Sequence, residues 1–183
     1  MLARMDDYDT LQKVCVIGSS ASGKTTFARA LAARIGCEHI ELDALYHDPN
    51  WTAVPWDVFR ERAQARLASE RWVCDGYYDN QAGHFDRADL IVWLDYPFRI
   101  VLSRVLRRTV RRVFIHEELW NGNRETLRKT FSRESIVVWV FQTYWKRRRQ
   151  IPMRLSLCGT PVVRFRHPRE ASAWMRQIKS PSN

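Results

Sequence analysis

Eight residues near the amino end, Gly18-Ser19-Ser20-Ala21-Ser22-Gly23-Lys24-Thr25, have the spacing of a loop that cradles phosphate groups. Gly18 and Gly23 permit backbone angles and close approaches that side chains would block, so successive amide N–H groups can point at one anion. A helix opening at Lys24 brings its positive end to the same place. Lys24 can bridge the outer phosphates of a nucleoside triphosphate, and the Thr25 hydroxyl can ligate Mg²⁺. The candidate nucleotide-binding residues therefore run through Gly18, Ser19, Ser20, Ala21, Ser22, Gly23, Lys24 and Thr25 to Thr26. The competing account is an accidental glycine turn before an ordinary helix. It leaves the agreement of spacing, Lys, Thr and flanking elements without a cause.

Two carboxylates stand where such a loop would use them. Asp75 follows an apolar run and can hold Mg²⁺-bound water near the loop, although an Asp-Gly pair after a strand is also an ordinary turn. Asp43 can orient an acceptor group or act as its general base, and helix capping is the plain alternative. Arg99, Arg104, Arg107, Arg108, Arg111 and Arg112 cannot all be core, and helical spacing puts Arg104, Arg108 and Arg111 on one face. Phosphoryl transfer gathers charge on the equatorial oxygens of the moving group, which an arginine cluster can offset. A solvated basic face is the other reading. Lys146-Arg147-Arg148-Arg149 is expected to serve a helix dipole or solubility.

These groups need a frame. Val14-Cys15-Val16-Ile17 reads as a strand buried on both faces, and Phe27, Ala28, Leu31, Ala32 and Ile35 fall at helical spacing up to Gly36. His39-Ile40-Glu41-Leu42, Trp72-Val73-Cys74, Leu90-Ile91-Val92-Trp93-Leu94 and Pro161-Val162-Val163-Arg164-Phe165 read as further strands. Between them, Pro55 can start a helix with Trp56, Phe59, Ala63 and Leu67 on one face. Pro97 opens an Arg-rich helix, a long helical pattern runs to about Gln150, and Pro168 starts the closing helix with Ala171, Trp174, Met175 and Ile178 on its apolar side. Strands alternating with helices predict an α/β three-layer sandwich, with a five-stranded parallel sheet between helices. Ligands bind at the carboxyl ends of such strands, where Asp43, Asp75 and Asp95 lie.

The 183 residues fit one domain, residues 1–183, with a short lid at about 109–124. No apolar run approaches the roughly 18 residues needed to cross a bilayer, and the acidic start does not read as a signal peptide. Cys15, Cys37, Cys74 and Cys158 are scattered and form no CxxC pair, so a reduced, cytoplasmic protein is expected. The five His lack metal-ligand spacing. Residues 1–96 carry a net −5 and residues 97–183 a net +15, and 25 of the 30 basic residues are Arg, whose planar fork matches phosphate oxygens. Polyanions, either nucleotides or nucleic acid, are the expected ligands. Of the eight Trp, most read as core. Trp51 and Trp120 lie in loops and can stack on a base or close over a substrate.

With these residues in place, the chain resembles small P-loop kinases of the adenylate kinase type, and more closely the bacterial adenylate kinase-like proteins labelled topology modulation proteins. The resemblance covers about residues 12–178. It implies ATP and Mg²⁺ as cofactors, with Thr25 and Asp75 at the metal. In Leu94-Asp95-Tyr96-Pro97 and the helix after it, the resemblance implies that Arg104 packs on the ATP base and Arg108 reaches phosphate from the lid edge. Arg124-Glu125-Thr126-Leu127-Arg128-Lys129 looks like the helix start after the lid and implies a phosphate contact for Arg128. The family's Pro-Arg pair after Asp-Gly is replaced by Tyr77-Tyr78-Asp79-Asn80, so AMP is not carried over as acceptor.

The expectation is an ATP-dependent phosphotransferase acting on a nucleotide or other small acceptor, with Lys24, Arg108, Arg128 and Asp43 as catalytic residues. The competing expectation is a nucleotide-regulated nucleic-acid-binding protein using the basic carboxyl-terminal half. No helix-turn-helix, RNP or zinc-finger signature accompanies it.

Overall fold

The computed structural model describes residues 11–115 and 136–178, and the side chains of residues 11–107 and 142–178. Residues 109–115 of the expected lid belong to a helix, and the rest of it, with Trp120 and Arg128, lies outside the described residues. So do the side chains of Arg108, Arg111, Arg112 and Trp139.

Strand β1 (Lys13–Gly18) sends Val14 and Val16 to one face of the sheet and Cys15 and Ile17 to the other, and all four are fully buried. Apolar residues on both faces are what a central parallel strand requires. Helix α1 (Lys24–Ile35) returns along the first face, burying Ala28, Leu31, Ala32 and Ile35, and Gly36 ends it in a left-handed cap. Strand β2 (Glu38–Glu41) leads into a short helix α2 (Leu42–Tyr46). A two-stranded hairpin of β3 (His47–Asp48) and β4 (Thr52–Ala53) follows. Helix α3 (Trp56–Arg66) covers the second face with Phe59 and Ala63. Full burial of Phe59 alone contributes roughly 1.5–3 kcal/mol.

Strands β5 (Trp72–Asp75), β6 (Leu90–Leu94) and β7 (Val162–Phe165) complete a parallel sheet ordered β2-β5-β1-β6-β7. Helices α4 (Phe98–Ile115), α5 (Ile136–Leu157) and α6 (Pro168–Gln177) supply the rest of the two covering layers. Register puts Gly18 beside Leu94, Val16 beside Asp75 and Glu41 beside Asp75. The carboxyl ends of the central strands thus share one edge. The chain leaves β1 toward β2 on one side and later crosses to β6 on the other, which opens a crevice at that edge.

Three local expectations change. Helix α5 does not stop near Gln150 but runs through Pro152 to Leu157, because Ile151, Leu155 and Cys158 pack on the second-face core from both sides of the proline. That packing offsets the hydrogen bond Pro152 cannot donate. Trp56 shares the face of Phe59 by periodicity, yet it sits in the first turn of α3 and remains 45% exposed, stacked on Tyr46 at 5.0 Å. The β3–β4 hairpin is too short to show in hydropathy. Among the described residues no helix is long and apolar enough to cross a membrane.

Candidate functional site

The turn from β1 to α1 has a backbone that few residues adopt. Gly18, Ala21 and Gly23 have φ of 155°, 60° and 89°. A Cβ on Gly18 would lie 2.7 Å from the Leu94 carbonyl oxygen, so the loop can pass this close to β6 only with glycine there. The Ser22 amide donates to the Ser19 carbonyl at 3.1 Å and closes the loop. Helix α1 has no side-chain cap and no acidic residue in its first turn, which leaves amide N–H groups and the positive helix end directed at the loop. The Ser22 hydroxyl is buried without a hydrogen-bond partner among the described residues. This donor set fits a polyphosphate.

Thr25 and Asp75, expected at a metal, are brought together. The Thr25 hydroxyl donates to Asp75 Oδ2 at 2.6 Å, across 50 residues of sequence. Asp75 is 4% exposed at the end of β5, and His39 Nε2 stands 3.3 Å from its other oxygen. A hydroxyl and a carboxylate side by side at the foot of a phosphate loop are the oxygen ligands Mg²⁺ takes, directly or through water. Lys24 opens α1 beside them. Arg104 donates to the Ser22 carbonyl, and its guanidinium lies over the Tyr96 ring at 5.1 Å. It therefore flanks the loop. Thr26 is exposed in the first turn of α1.

Asp43 lies in the first turn of α2 but caps nothing with its side chain, since the N-cap position belongs to Glu41. Its carboxylate accepts a hydrogen bond from the Tyr78 hydroxyl at 2.5 Å. Burial first, and the neighbouring Asp43 carboxylate second, push the Tyr78 hydroxyl well above the ordinary tyrosine range, so it stays a donor. Tyr46, Trp56, Phe59 and Tyr78 form a connected ring cluster beside Asp43, with Tyr46 and Tyr78 centroids 5.0 Å apart. One carboxylate is thus set into aromatic walls.

Tyr78 is presented by an unusual turn. Tyr78, Asp79 and Asn80 have φ of 36°, 48° and 58°, directly after Gly76 at 137°. Asp and Asn tolerate the left-handed region, whereas a tyrosine held there costs on the order of 1 kcal/mol or more. A Cβ on Gly76 would lie 2.9 Å from Leu42 Cβ, which is why the chain can dive under α2 only at a glycine. Asp79 accepts from Arg154 Nε at 2.8 Å and from its terminal nitrogen at 3.2 Å, and Arg154 holds the carboxyl below its usual range.

The basic run at residues 146–149 divides. Arg148 pairs with the buried Asp95 at 3.4 Å, as does Arg164, a structural tie of α5 to β6 and β7. Arg147 instead faces the site. Arg147 and Arg148 both line a cleft with Ser19 of the glycine loop, Asp95 and Tyr144, and Arg147 alone also feels the charge of Asp43 and the Tyr78 hydroxyl. Burial is the larger influence and lowers its pKa, and Asp43 opposes this. The dipole or solubility role expected for this run therefore does not describe Arg147. Its spacing of four from Ile151 is the sequence signal that places it on the inward face of α5.

Beneath the turn, His84 is fully buried against Phe85, with ring centroids 4.6 Å apart. Burial pulls its pKa down to about 4, opposed in part by the backbone of Gly76 and Tyr77. The unfolded chain therefore binds a proton more readily than the folded one. Stability from this group is intact above about pH 6.5 and is lost as pH falls toward about 4. Urea unfolding at pH 7 and pH 5 is expected to differ by about 2 kcal/mol from His84 alone. His84→Gln should remove that part of the difference, and an unchanged difference contradicts the assignment.

A parallel sheet of this order, with a glycine loop between its first strand and first helix, defines the α/β P-loop fold in the form found in small kinases. Solved structures share it. Shikimate kinase from Acinetobacter baumannii in complex with shikimate matches with a TM-score of 0.55 at 15% identity, covering 94% of this chain and 94% of that one. Shikimate kinase from Bacteroides thetaiotaomicron matches with a TM-score of 0.58 at 14% identity, covering 92% of this chain and 97% of that one. No protein-family model matches the sequence, and no curated protein does.

Proposed function

We propose that the chain is an ATP- and Mg²⁺-dependent phosphotransferase that moves the γ-phosphoryl group of ATP to a hydroxyl of a small acceptor. The observation that carries this reading is the 2.6 Å contact between Thr25 and Asp75 at the foot of the glycine loop. The loop amides and Lys24 hold the phosphates, and Arg104 flanks the nucleotide. Thr25 and Asp75 would hold Mg²⁺, which when bound would supply positive charge to offset that developing on the phosphate oxygens. Arg108 and Arg128 add the lid-side charge that the resemblance implies, and Arg147 adds charge from α5. Asp43, oriented by Tyr78, accepts the proton of the acceptor hydroxyl while its oxygen bonds to phosphorus and the bond to the bridging oxygen of ADP breaks.

A small acceptor suits a carboxylate set against the Tyr46–Trp56–Tyr78 ring cluster, with the Arg147 charge near enough for Asp43 to act on it. Nucleotides, nucleosides and hydroxylated carboxylic acids all carry a hydroxyl suited to Asp43. Shikimate enters the set because it is bound by one of the structural neighbours. A coupled assay of ADP release with nucleoside monophosphates, nucleosides, shikimate and other small hydroxylic metabolites tests the proposal. At least one acceptor is expected to raise ADP release well above the rate with ATP and Mg²⁺ alone. Flat rates across the panel, combined with no binding of any nucleoside triphosphate, would overturn it.

A further inference from the structure

Helix α5 carries Arg147 and Arg154 seven positions apart, with fully buried Ile151 between them, so all three share the face laid over the Tyr77–Asn80 turn. Arg154 ends in a two-pronged grip on the Asp79 carboxylate, at 2.8 and 3.2 Å. The Tyr77 hydroxyl donates to the same carboxylate at 3.2 Å. Downstream, the Asn80 side chain is tied to Asp86 at 2.9 Å and to the Phe85 amide at 2.9 Å. The Arg154–Asp79 pair is 43% and 49% exposed, so it adds little to global stability. Its location gives it another use. Asp79 is the middle of three consecutive left-handed residues, and such a turn has less strained forms close by. Rotation of Tyr78 out of that region redirects its Cβ and carries the hydroxyl away from Asp43.

We infer that Arg154 is a positioning residue: by gripping Asp79 it holds the turn in the form that sets the Tyr78 hydroxyl on Asp43. The use of Asp43 by an acceptor rests on the phosphotransferase reading, whereas the link from Arg154 through Asp79 to Tyr78 does not. Because α5 also carries Arg147, one helix sets both the cation and the oriented carboxylate of the acceptor side.

The test uses the full chain labelled with ¹³C at tyrosine Cζ, a nucleus whose shift reports the hydrogen bond of the hydroxyl. Y78F assigns the Tyr78 line, and D43N marks its position without the carboxylate. In R154A the Tyr78 line is expected to move about half way or more to its D43N position, while R154K recovers part of the shift because an ammonium can still hold one oxygen. D79N should reproduce the movement from the other side of the pair and decides the question should R154A not fold. Exposed Arg149 on the same helix is the control, and R149A should leave the line in place. Calorimetry with Mg²⁺-ATP is expected to change by less than about twofold in R154A, and Tm by less than about 3 °C. A Tyr78 line that stays put in both R154A and D79N, or that R149A moves equally, overturns the inference. Absence of Mg²⁺-ATP binding in the unaltered protein would instead count against the phosphotransferase reading and leave the Tyr78 result to stand by itself.

Discussion

Lys24→Ala is expected to lower ADP release with the best acceptor by about a hundredfold or more, with the fold intact. Lys24 is the first residue of α1 and lies at the mouth of a loop whose amides and helix end all aim at one point. Its ammonium is the one full charge among the residues of the loop itself, Gly18 to Thr25. Removal of a preorganised charge or donor from a developing anion typically costs about 3–4 kcal/mol in the transition state, equivalent to that factor. Its side chain is only partly buried, and truncating it leaves no sealed cavity, so stability should shift by about 1 kcal/mol or less. The rate and a thermal melt measured on the same preparation check both halves. Turnover at the unaltered rate would remove the loop from the chemistry.

Asp75→Asn is expected to raise the Mg²⁺ concentration for half-maximal ADP release by about tenfold or more and to lower the maximal rate. Asn keeps the shape of the side chain and can still accept from the Thr25 hydroxyl, so the change isolates the charge. Groups that orient or charge-balance a metal site typically matter by about 10- to 100-fold. Two features make Asp75 the position where that charge counts. It is 4% exposed, so its field is little screened, and it stands next to β1 in register with Val16, directly under the loop. The ordinary reading of Asp75-Gly76 as a mere turn expects instead a small loss of stability and an unchanged Mg²⁺ dependence. A Mg²⁺ titration of the variant separates the two.

The structure gives Asp43 no capping bond, and its contact with a bound group stays a proposal. Sequence alone leaves it between helix capping and contact with a bound group. The cap position falls one element earlier, on Glu41, and the Asp43 carboxylate receives the Tyr78 hydroxyl, a partner 35 residues away that no local pattern announces. Arg147 followed a similar course. Four consecutive basic residues at the end of a helical pattern look like dipole compensation, and only the placement of α5 across the strand ends shows that two of the four, Arg147 and Arg148, turn inward.

Local sequence determined what nearest-neighbour physics can enforce. Short continuous apolar runs and period-3.6 hydropathy marked the five large-sheet strands and most of the helices, and the glycine loop followed from backbone angles that only certain residues adopt. The sequence puts both Thr25 and Asp75 near one metal, the first in the opening turn of α1 and the second at the end of β5, and the structure adds their direct hydrogen bond. The tertiary structure decided the rest: the continuation of α5 past Pro152, the half-open Trp56, the strained Tyr78 turn, and the division of labour between Arg147, near Asp43, and Arg148, paired with Asp95. Each of these depends on free energy exchanged between groups far apart in the chain, where burial or a long-range hydrogen bond outweighs a local preference of about 1–3 kcal/mol.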